Sequence, residues 1–379
     1  MKKKIAFVVS APITARVFLA HQINELSNQY DVTVIANLKQ ENNELDNLSE
    51  AVHIHSLAIE RDISIFSDIK ALVLLTRLFL QEQFVLVHSV TPKAGLIATL
   101  AGYLSAVPNR LHTFTGQVWV TQSGLKRCLL KSMDAWIASL ATKVLADSVS
   151  QRDFLIEHDV VGKDSIMVLE EGSISGVDLA RFHPSAHVRN SIRDTLHIDA
   201  SAVVLLFLGR LKLDKGVIDL ANAFADVHQK NPETVLLMIG PDEDNLASKI
   251  ISVSAHAEPA IRFIDYTSRP EDYMASADIF ALPSYREGFG SAVIEAAACE
   301  VPAVASRIYG LTDAVKENET GLLFEAGDTD ELANTLCKLI ADRELLARLG
   351  KNARKRACEC FSQEGVTNAL CVLYNQLIK

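Results

Sequence analysis

Arg210 and Lys215 stand in the run Gly209-Arg210-Leu211-Lys212-Leu213-Asp214-Lys215-Gly216, directly after the near-pure apolar segment Val203–Leu208. Two fixed cations around a strand-to-helix turn suit a diphosphate, whose negative charge grows at the leaving oxygen during group transfer. The Arg guanidinium grips two oxygens with its fork, and the Lys ammonium acts as a point charge. A solvated basic turn capping the next helix has the same appearance, so this run alone leaves both readings open. Downstream lies Pro283-Ser284-Tyr285-Arg286-Glu287-Gly288-Phe289-Gly290-Ser291-Ala292-Val293-Ile294-Glu295-Ala296, which follows the apolar segment Ile279–Leu282 and enters an Ala-rich helix. Seven residues separate Glu287, in the loop at the strand end, from Glu295, a turn or so into the helix. Gly288 and Gly290 let backbone approach a ligand, and a helix start favours a negative group nearby. Carboxylates placed this way accept hydrogen bonds from a hydroxyl-rich ligand. The bland counterpart is one carboxylate complementing the helix dipole and one unrelated helical Glu. The two glycines and the upstream cations, taken together, favour the ligand site.

The segments around these loops say what must hold them. Apolar runs at Ile5–Val9, Asp31–Ala36, Val85–Ser89, Arg110–Thr115 and Lys143–Ala146 alternate with helical periodicity at Arg16–Asn28, Ile69–Gln81, Lys93–Leu104 and Gly124–Thr142. The alternation restarts at Val203–Leu208 with a helix over Val217–Gln229, then strands at Val235–Ile239, Ile261–Ile264, Ile279–Leu282 and Ala303–Ala305. Such alternation builds a parallel sheet covered on both faces. The pattern predicts an α/β protein with two Rossmann-like domains facing a central cleft, residues 1–185 and 186–361. A closing helix at about 362–379 is expected to pack back on the first domain. The hinge is expected within the polar residues 184–200. Ligands of open parallel sheets bind at the carboxyl ends of the strands, beside loops and helix N-termini, which is where both runs lie.

Composition narrows the partners. At 379 residues and 49% hydrophobic side chains, the chain is long enough for two cores. The net charge of −10 is uneven. Residues 1–185 hold 17 Lys+Arg against 19 Asp+Glu, a net of −2, which leaves 20 (37 − 17) against 28 (47 − 19), a net of −8, for the rest. That balance argues against nucleic acid and makes the amino-terminal half the better candidate to approach an anionic membrane face. Six cysteines occur without zinc or redox spacing, which fits reduced thiols in the cytoplasm. Met1-Lys2-Lys3-Lys4-Ile5 leads into an apolar run that ends at Val9, a first strand rather than a secretory segment. The stretch from Ala71 to Val87 is broken by Arg77, Gln81, Glu82 and Gln83, and reads as unable to span a bilayer. No Asp-x-Asp ends a strand. Asp242-Glu243-Asp244 follows a Gly-Pro turn and reads equally as a solvated loop or a substrate contact.

Together, Gly209-Arg210-Leu211 with Lys215-Gly216 and Glu287-x7-Glu295 resemble the signature of glycosyltransferase family 4, retaining enzymes of the GT-B fold. Gly176-Val177-Asp178-Leu179-Ala180-Arg181-Phe182-His183-Pro184 is similar to that family's inter-domain segment, and the matching blocks run from the first strand to about Phe324. The resemblance implies that Arg210 and Lys215 bind the donor diphosphate and stabilise the departing nucleotide, an electrostatic task. It implies that Glu295 holds ribose hydroxyls and that Glu287 contacts the donor sugar. Gly209 and the amides of Gly288, Phe289 and Gly290 would lie beside the sugar and phosphate. The base would rest near Asp265–Ser268, with Tyr266 as an apolar face. The implied donor is a UDP-sugar, with no cofactor and no metal, because Arg and Lys take the work assigned elsewhere to Mg²⁺.

Two departures stand out. Many relatives carry a glycine-rich loop after the first strand, whereas Ser10-Ala11-Pro12-Ile13-Thr14-Ala15-Arg16 has no glycine. Arg16 reads either as a contact for an anionic acceptor or as an ordinary helix-start cation. Relatives often place a His after the strand matching Arg110–Thr115. Here Thr115 and Gly116 align with that site, and His112 is the alternative. The Gly116-Gln117-Val118-Trp119 region and the Pro92-Lys93-Ala94-Gly95 turn look like a branch that builds bacterial surface polysaccharides on lipid diphosphate carriers, which makes Lys93 a candidate for an acceptor phosphate. The basic amphipathic stretch from Thr121 to Met133, with Trp136 beyond it, reads first as a packed helix with a solvated face. The resemblance adds docking against anionic lipid.

The expectation is a retaining hexosyltransferase that moves a sugar, N-acetylhexosamine among the candidates, from a UDP-sugar to a lipid-linked glycan. Its acceptor would be of the undecaprenyl diphosphate type, in O-antigen or capsule-type biosynthesis, with the protein lying peripherally on the cytoplasmic side of the membrane. A nucleotide-sugar epimerase of the same fold would need acid/base groups facing the sugar, and the Glu-x7-Glu spacing suits a transferase better. A non-catalytic, membrane-associated assembly subunit is the other rival, and the intact Arg210, Lys215, Glu287 and Glu295 speak against it. A dehydrogenase is disfavoured, since no G-x-G-x-x-G follows the first strand.

Overall fold

The computed structural model describes residues 2–38, 45–59 and 64–378. The chain divides into two compact units, Met1–Ser175 with Gln363–Lys379, and Gly176–Ser362. Among the described residues the first unit holds seven strands: β1 (Lys4–Val8), β2 (Asp31–Ala36), β3 (His53–Ser56), β4 (Leu86–Val90), β5 (Asn109–Phe114), β6 (Lys143–Ala146) and β7 (Ile166–Val168). Their order is β3-β2-β1-β4-β5-β6-β7. The second unit holds β8 (Val203–Leu208), β9 (Thr234–Ile239), β10 (Ile261–Ile264), β11 (Ile279–Leu282), β12 (Ala303–Ser306) and β13 (Gly321–Phe324), in the order β10-β9-β8-β11-β12-β13. All neighbouring strands pair in parallel.

The reason is legible in β8, Val-Val-Leu-Leu-Phe-Leu, where every residue but the last is buried. A strand buried on both faces needs helices above and below, and a parallel partner needs a crossover to reach it. The helix Val217–Lys230 supplies one, burying Val217, Leu220, Ala221, Phe224 and Val227 at helical period. β3, β7 and β13 were not expected from sequence. His-Ile-His-Ser of β3 is exposed along its whole length and has no apolar run to announce it, and β7 is only three residues long.

The polar residues 184–200 do not form a hinge. They contain the helix Ala186–Thr195, which belongs to the second unit and is capped by Ser185, whose hydroxyl accepts from the Val188 N–H at 3.3 Å. Arg189 and Arg193 both reach Asp278, at 2.6 and 2.7 Å, and Arg193 also donates to the carbonyl oxygens of Ser276 and Ala202. Polarity here marks anchoring, not a linker. Residues 176–185, expected with the first unit, lie in the second, where Val177 and Phe182 join its core.

The helix Gln363–Leu377 belongs to the first unit. Its fully buried Tyr374 hydroxyl meets His88 Nδ1 at 2.8 Å, and His88 Nε2 meets the Thr113 hydroxyl at 2.7 Å. Burial pushes the His88 imidazole down to about 3, so a neutral ring ties this helix to β4 and β5. In each sheet the strand order reverses once, between β1 and β4 and between β8 and β11. Connections leave such a pair on opposite faces, and the divergence opens a crevice at the carboxyl ends of the strands.

Candidate active site

The two runs singled out by sequence leave adjacent strands at the reversal point of the second sheet, Gly209–Gly216 after β8 and Pro283–Gly290 after β11. They are stitched to one another. The Tyr285 N–H donates to the Asp214 carbonyl at 2.9 Å. Arg286 donates to the Asp214 carboxylate at 2.9 Å, and the Tyr285 hydroxyl donates to Asp219 at 2.7 Å. Gly216 turns at φ 66 to open the helix Val217–Lys230, and a Cβ there would collide with the Pro283 carbonyl oxygen. Glycine alone lets the first loop close on the second.

Inside this stitch, Lys215 Nζ donates to Glu287 Oε1 at 2.6 Å, and the Ser284 hydroxyl donates to the same oxygen at 2.8 Å. The two charged side chains are only 17% and 15% exposed, so solvent screens them far less than an ordinary surface pair. Arg210 is more open. Its side chain is 43% exposed, with Nη1 3.1 Å from Glu243 Oε2. Lys212 shares Glu243 at 3.3 Å and meets Asp244 at 3.6 Å. Asp242 accepts from the Leu246 and Ala247 N–H groups at 2.8 and 2.9 Å. The acidic cluster is therefore committed to the protein: Glu243 and Asp244 balance the basic turn, and Asp242 caps the next helix. Each of the two cations singled out by sequence has a carboxylate partner, Glu243 for Arg210 and Glu287 for Lys215.

Gly290, at φ 84, opens the helix Ser291–Ala298, which has no side-chain cap, and the helix Val217–Lys230 has none either. First-turn amides and the helix dipole make both starts favourable for negative charge. Glu295 lies in the first of these helices. Burial pushes its carboxyl from an ordinary 4.5 up to about 7, opposed by Arg181 and reinforced by Glu271. Arg181 pairs with Glu271 at 2.7 Å and donates to the Ser268 carbonyl at 2.9 Å. That contact connects the Gly176–Pro184 segment to the loop after β10, where Tyr266 is 65% exposed. Phe289, in contrast, is 2% exposed with its ring 5.1 Å from Phe361. Its ring belongs to the core of the second unit.

The acceptor-side candidates all lie in the first unit. Arg16 sits in a π-helical turn, Ala15–Leu19, and is partly buried. Lys93 is 10% exposed and bound to Asp68 at 2.7 Å, so its charge is already matched. Both follow the reversal pair β1 and β4, where the Ser10 and Thr91 hydroxyls meet at 3.0 Å. Thr115 and Gly116 follow β5, one strand further along. His112 is interior: it is 1% exposed, bonded to the Ser89 hydroxyl at 2.9 Å, and pushed down to about 3 by burial. Sequence reasoning missed the Asp214–Arg286, Asp219–Tyr285 and Glu243–Arg210 contacts, because a charged run displays its charge but not its distant partner. Among the described residues, no group of three or more His, Cys, Asp or Glu is arranged to hold a metal ion.

Known proteins carry the same organisation. A family model described as "Glycosyl transferases group 1" matches residues 188–356, and one described as "Glycosyl transferase 4-like domain" matches residues 14–172. The capsular polysaccharide biosynthesis glycosyltransferase CapM of Staphylococcus aureus is 32% identical over 351 residues, which cover 92% of this chain and 90% of the relative. The UDP-Gal:alpha-D-GlcNAc-diphosphoundecaprenol alpha-1,3-galactosyltransferase of Escherichia coli is 26% identical over 369 residues, covering 95% and 94%. Among solved structures, Anabaena HepE in complex with UDP and glucose aligns with a TM-score of 0.80 at 18% identity, over 99% of this chain and 100% of that one. Two parallel-sheet α/β units of this kind are the GT-B fold of glycosyltransferases. The chain belongs to glycosyltransferase family 4.

Glu295 carries a stability cost that can be measured. Between pH 4.5 and about 7 the folded chain holds a proton that the unfolded chain has released. Stability therefore falls as pH rises through that window, and the loss is complete above it. Glu295→Gln is expected to match wild type at the acid end of the window and to exceed it by about 1–3 kcal/mol well above it, read as urea midpoints at the two pH values.

Proposed function

We propose that this glycosyltransferase takes a UDP-sugar donor and transfers the sugar, with retention and without a metal, to a glycan on a lipid diphosphate carrier. The observation that carries the reading is the Lys215–Glu287 pair at the meeting of the β8 and β11 loops. A ligand that brings a diphosphate and sugar hydroxyls together satisfies both partners at once, the ammonium on phosphate and the carboxylate on a hydroxyl. Arg210 adds a second cation from the same turn. Both cations act where charge develops: as the bond from the anomeric carbon to the UDP oxygen breaks, they stabilise the oxygen that leaves. The acceptor hydroxyl attacks from the face that UDP departs. Its proton passes to the leaving phosphate oxygen, and the new glycosidic bond keeps the anomeric configuration. Glu295 receives ribose hydroxyls and Tyr266 lies along the base.

The relatives' names support the donor and acceptor classes. CapM is named for capsular polysaccharide, the Escherichia coli relative for UDP-Gal and a diphosphoundecaprenol-linked GlcNAc, and HepE was solved with UDP and glucose. By this reading the protein works in surface polysaccharide biosynthesis, peripherally on the cytoplasmic side of the membrane. Its transferred sugar is a hexose or N-acetylhexosamine, and Arg16, Lys93, Thr115 and Gly116 are the residues nearest to the acceptor.

A panel of UDP-sugars incubated with total lipid extract tests the reaction, with the product's anomeric configuration read by proton NMR. The expected outcome is an α-linked product from an α-linked donor, at a rate unchanged by EDTA. An inverted product would overturn the mechanism. In the same assay Arg210→Ala and Lys215→Ala are each expected to lower kcat by roughly a hundredfold or more. Near-wild-type turnover in both would remove these residues from the chemistry.

A further inference from the structure

The basic turn that carries Arg210 is bordered by an acidic loop, the residues that follow β9. Gly240, at φ 138, packs so closely on the Gly209 backbone that a Cβ would collide with its carbonyl oxygen. The Leu211 N–H donates to the Pro241 carbonyl at 2.9 Å, and Asp242 accepts from the Leu246 and Ala247 N–H groups. The backbone of the acidic loop is thus fixed against the basic turn. Glu243 and Asp244 reach its cations because the frame carries them there.

The side chains are not paired one to one. Glu243 Oε2 is shared, with Arg210 Nη1 at 3.1 Å and Lys212 Nζ at 3.3 Å. Asp244 accepts from the Leu213 N–H at 3.1 Å through Oδ2 and meets Lys212 at 3.6 Å through Oδ1. Among the described residues Arg210 forms an ion pair with Glu243 and none with Asp244. Glu243 therefore bridges two cations, and Lys212 bridges two carboxylates. A carboxylate on Arg210 opposes an incoming diphosphate twice. It neutralises the guanidinium beforehand, and once displaced it remains as a lone anion that repels the phosphates. An ammonium already on the same oxygen, with three N–H donors to distribute, removes the second obstacle.

We infer that Lys212 is a positioning residue for the donor: it keeps Glu243 when the diphosphate takes Arg210, so the exchange strands no negative charge beside the phosphates. The inference rests on the UDP-sugar reading and adds to it a residue outside the Gly209-Arg210-Leu211 and Lys215-Gly216 blocks of the family signature. Arg210 turns its fork to the phosphate oxygens, while Lys212 holds Glu243 and Asp244 together. Lys212 acts through Glu243 and does not touch the donor. The four side chains are between 30% and 43% exposed, so partners part and re-form without opening the core.

Calorimetric titration of UDP into the full chain tests this role. Lys212→Met is expected to weaken binding by about fivefold, the upper end of what partly exposed pairs contribute, because Glu243 is then left to Arg210. Lys212→Met/Glu243→Gln is expected to bind as Glu243→Gln alone does, since a neutral amide strands no charge. Lys212→Met/Asp244→Asn carries the same net charge as that double variant but leaves Glu243 on Arg210, and it is expected to stay weak. Wild-type melting temperatures check the fold of each variant, and Lys212→Gln takes the place of Lys212→Met if the latter melts early. The inference is overturned if Lys212→Met binds UDP as wild type does. It is overturned if Glu243→Gln fails to restore binding, which would put Lys212 on the phosphates directly, or if Asp244→Asn restores it equally, which would reduce the effect to net charge. Wild-type protein that does not bind UDP would overturn the donor reading and this inference with it. Wild-type binding that Lys212→Met leaves unchanged overturns the inference alone.

Discussion

A charged pair largely withdrawn from water organises the second unit. Lys215 and Glu287 come from loops seventy-two residues apart and meet at 2.6 Å, with Ser284 on the shared oxygen. Removing two charges from solvent is costly, and their attraction repays that cost only when the geometry is held tightly. The surrounding contacts supply that tightness. Gly216 admits the close approach to Pro283, Asp214 ties down Arg286, and Tyr285 reaches Asp219. An arrangement this constrained, placed where strand order reverses and two uncapped helices begin, is a poor way to add stability. Under the proposed function it holds two opposite charges ready for a ligand that carries both complements.

The same logic fixes β11 at its other end. Asp278, just before the strand, receives Arg189, Arg193 and the Val204 N–H, the last at 2.7 Å. Those contacts lock β11 against β8 at their amino ends, while the loop contacts lock them at their carboxyl ends. A slip in register would move Glu287 away from Lys215 and turn the buried faces outward. Packing, register and candidate chemistry are thus one constraint seen at three levels. Glu295 shows the opposite sign of the same principle: a carboxyl that burial pushes up to about 7 lowers stability when ionised.

Much of this was legible in the residues. β2, β6, β8, β10 and β11 begin and end where the sequence places them, and for β8 and β11 the reason is that a strand covered on both faces is apolar throughout. The cations and carboxylates of the candidate site were legible for a related reason: loops after buried strands have fixed addresses at one sheet edge. What escaped was long-range pairing. Arg189 and Arg193 looked like linker residues because their partner lies more than eighty positions away. Lys93 reads from sequence as a candidate for an acceptor phosphate, and its pairing with Asp68 is another contact that the chain order does not display. The exposed edge strand β3 left no hydrophobic trace.

In the proposed reaction Lys215 and Glu287 exchange each other for the donor, and calorimetric titration of UDP measures that exchange. UDP lacks the sugar that would engage Glu287, so releasing Lys215 from the carboxylate should favour it. Glu287→Gln is expected to tighten UDP binding by about fivefold, a coupling on the order of 1 kcal/mol, and this gain is expected to vanish when Lys215 is already alanine. An effect of Glu287→Gln that is the same with and without Lys215, or UDP affinity indifferent to both residues, would contradict it.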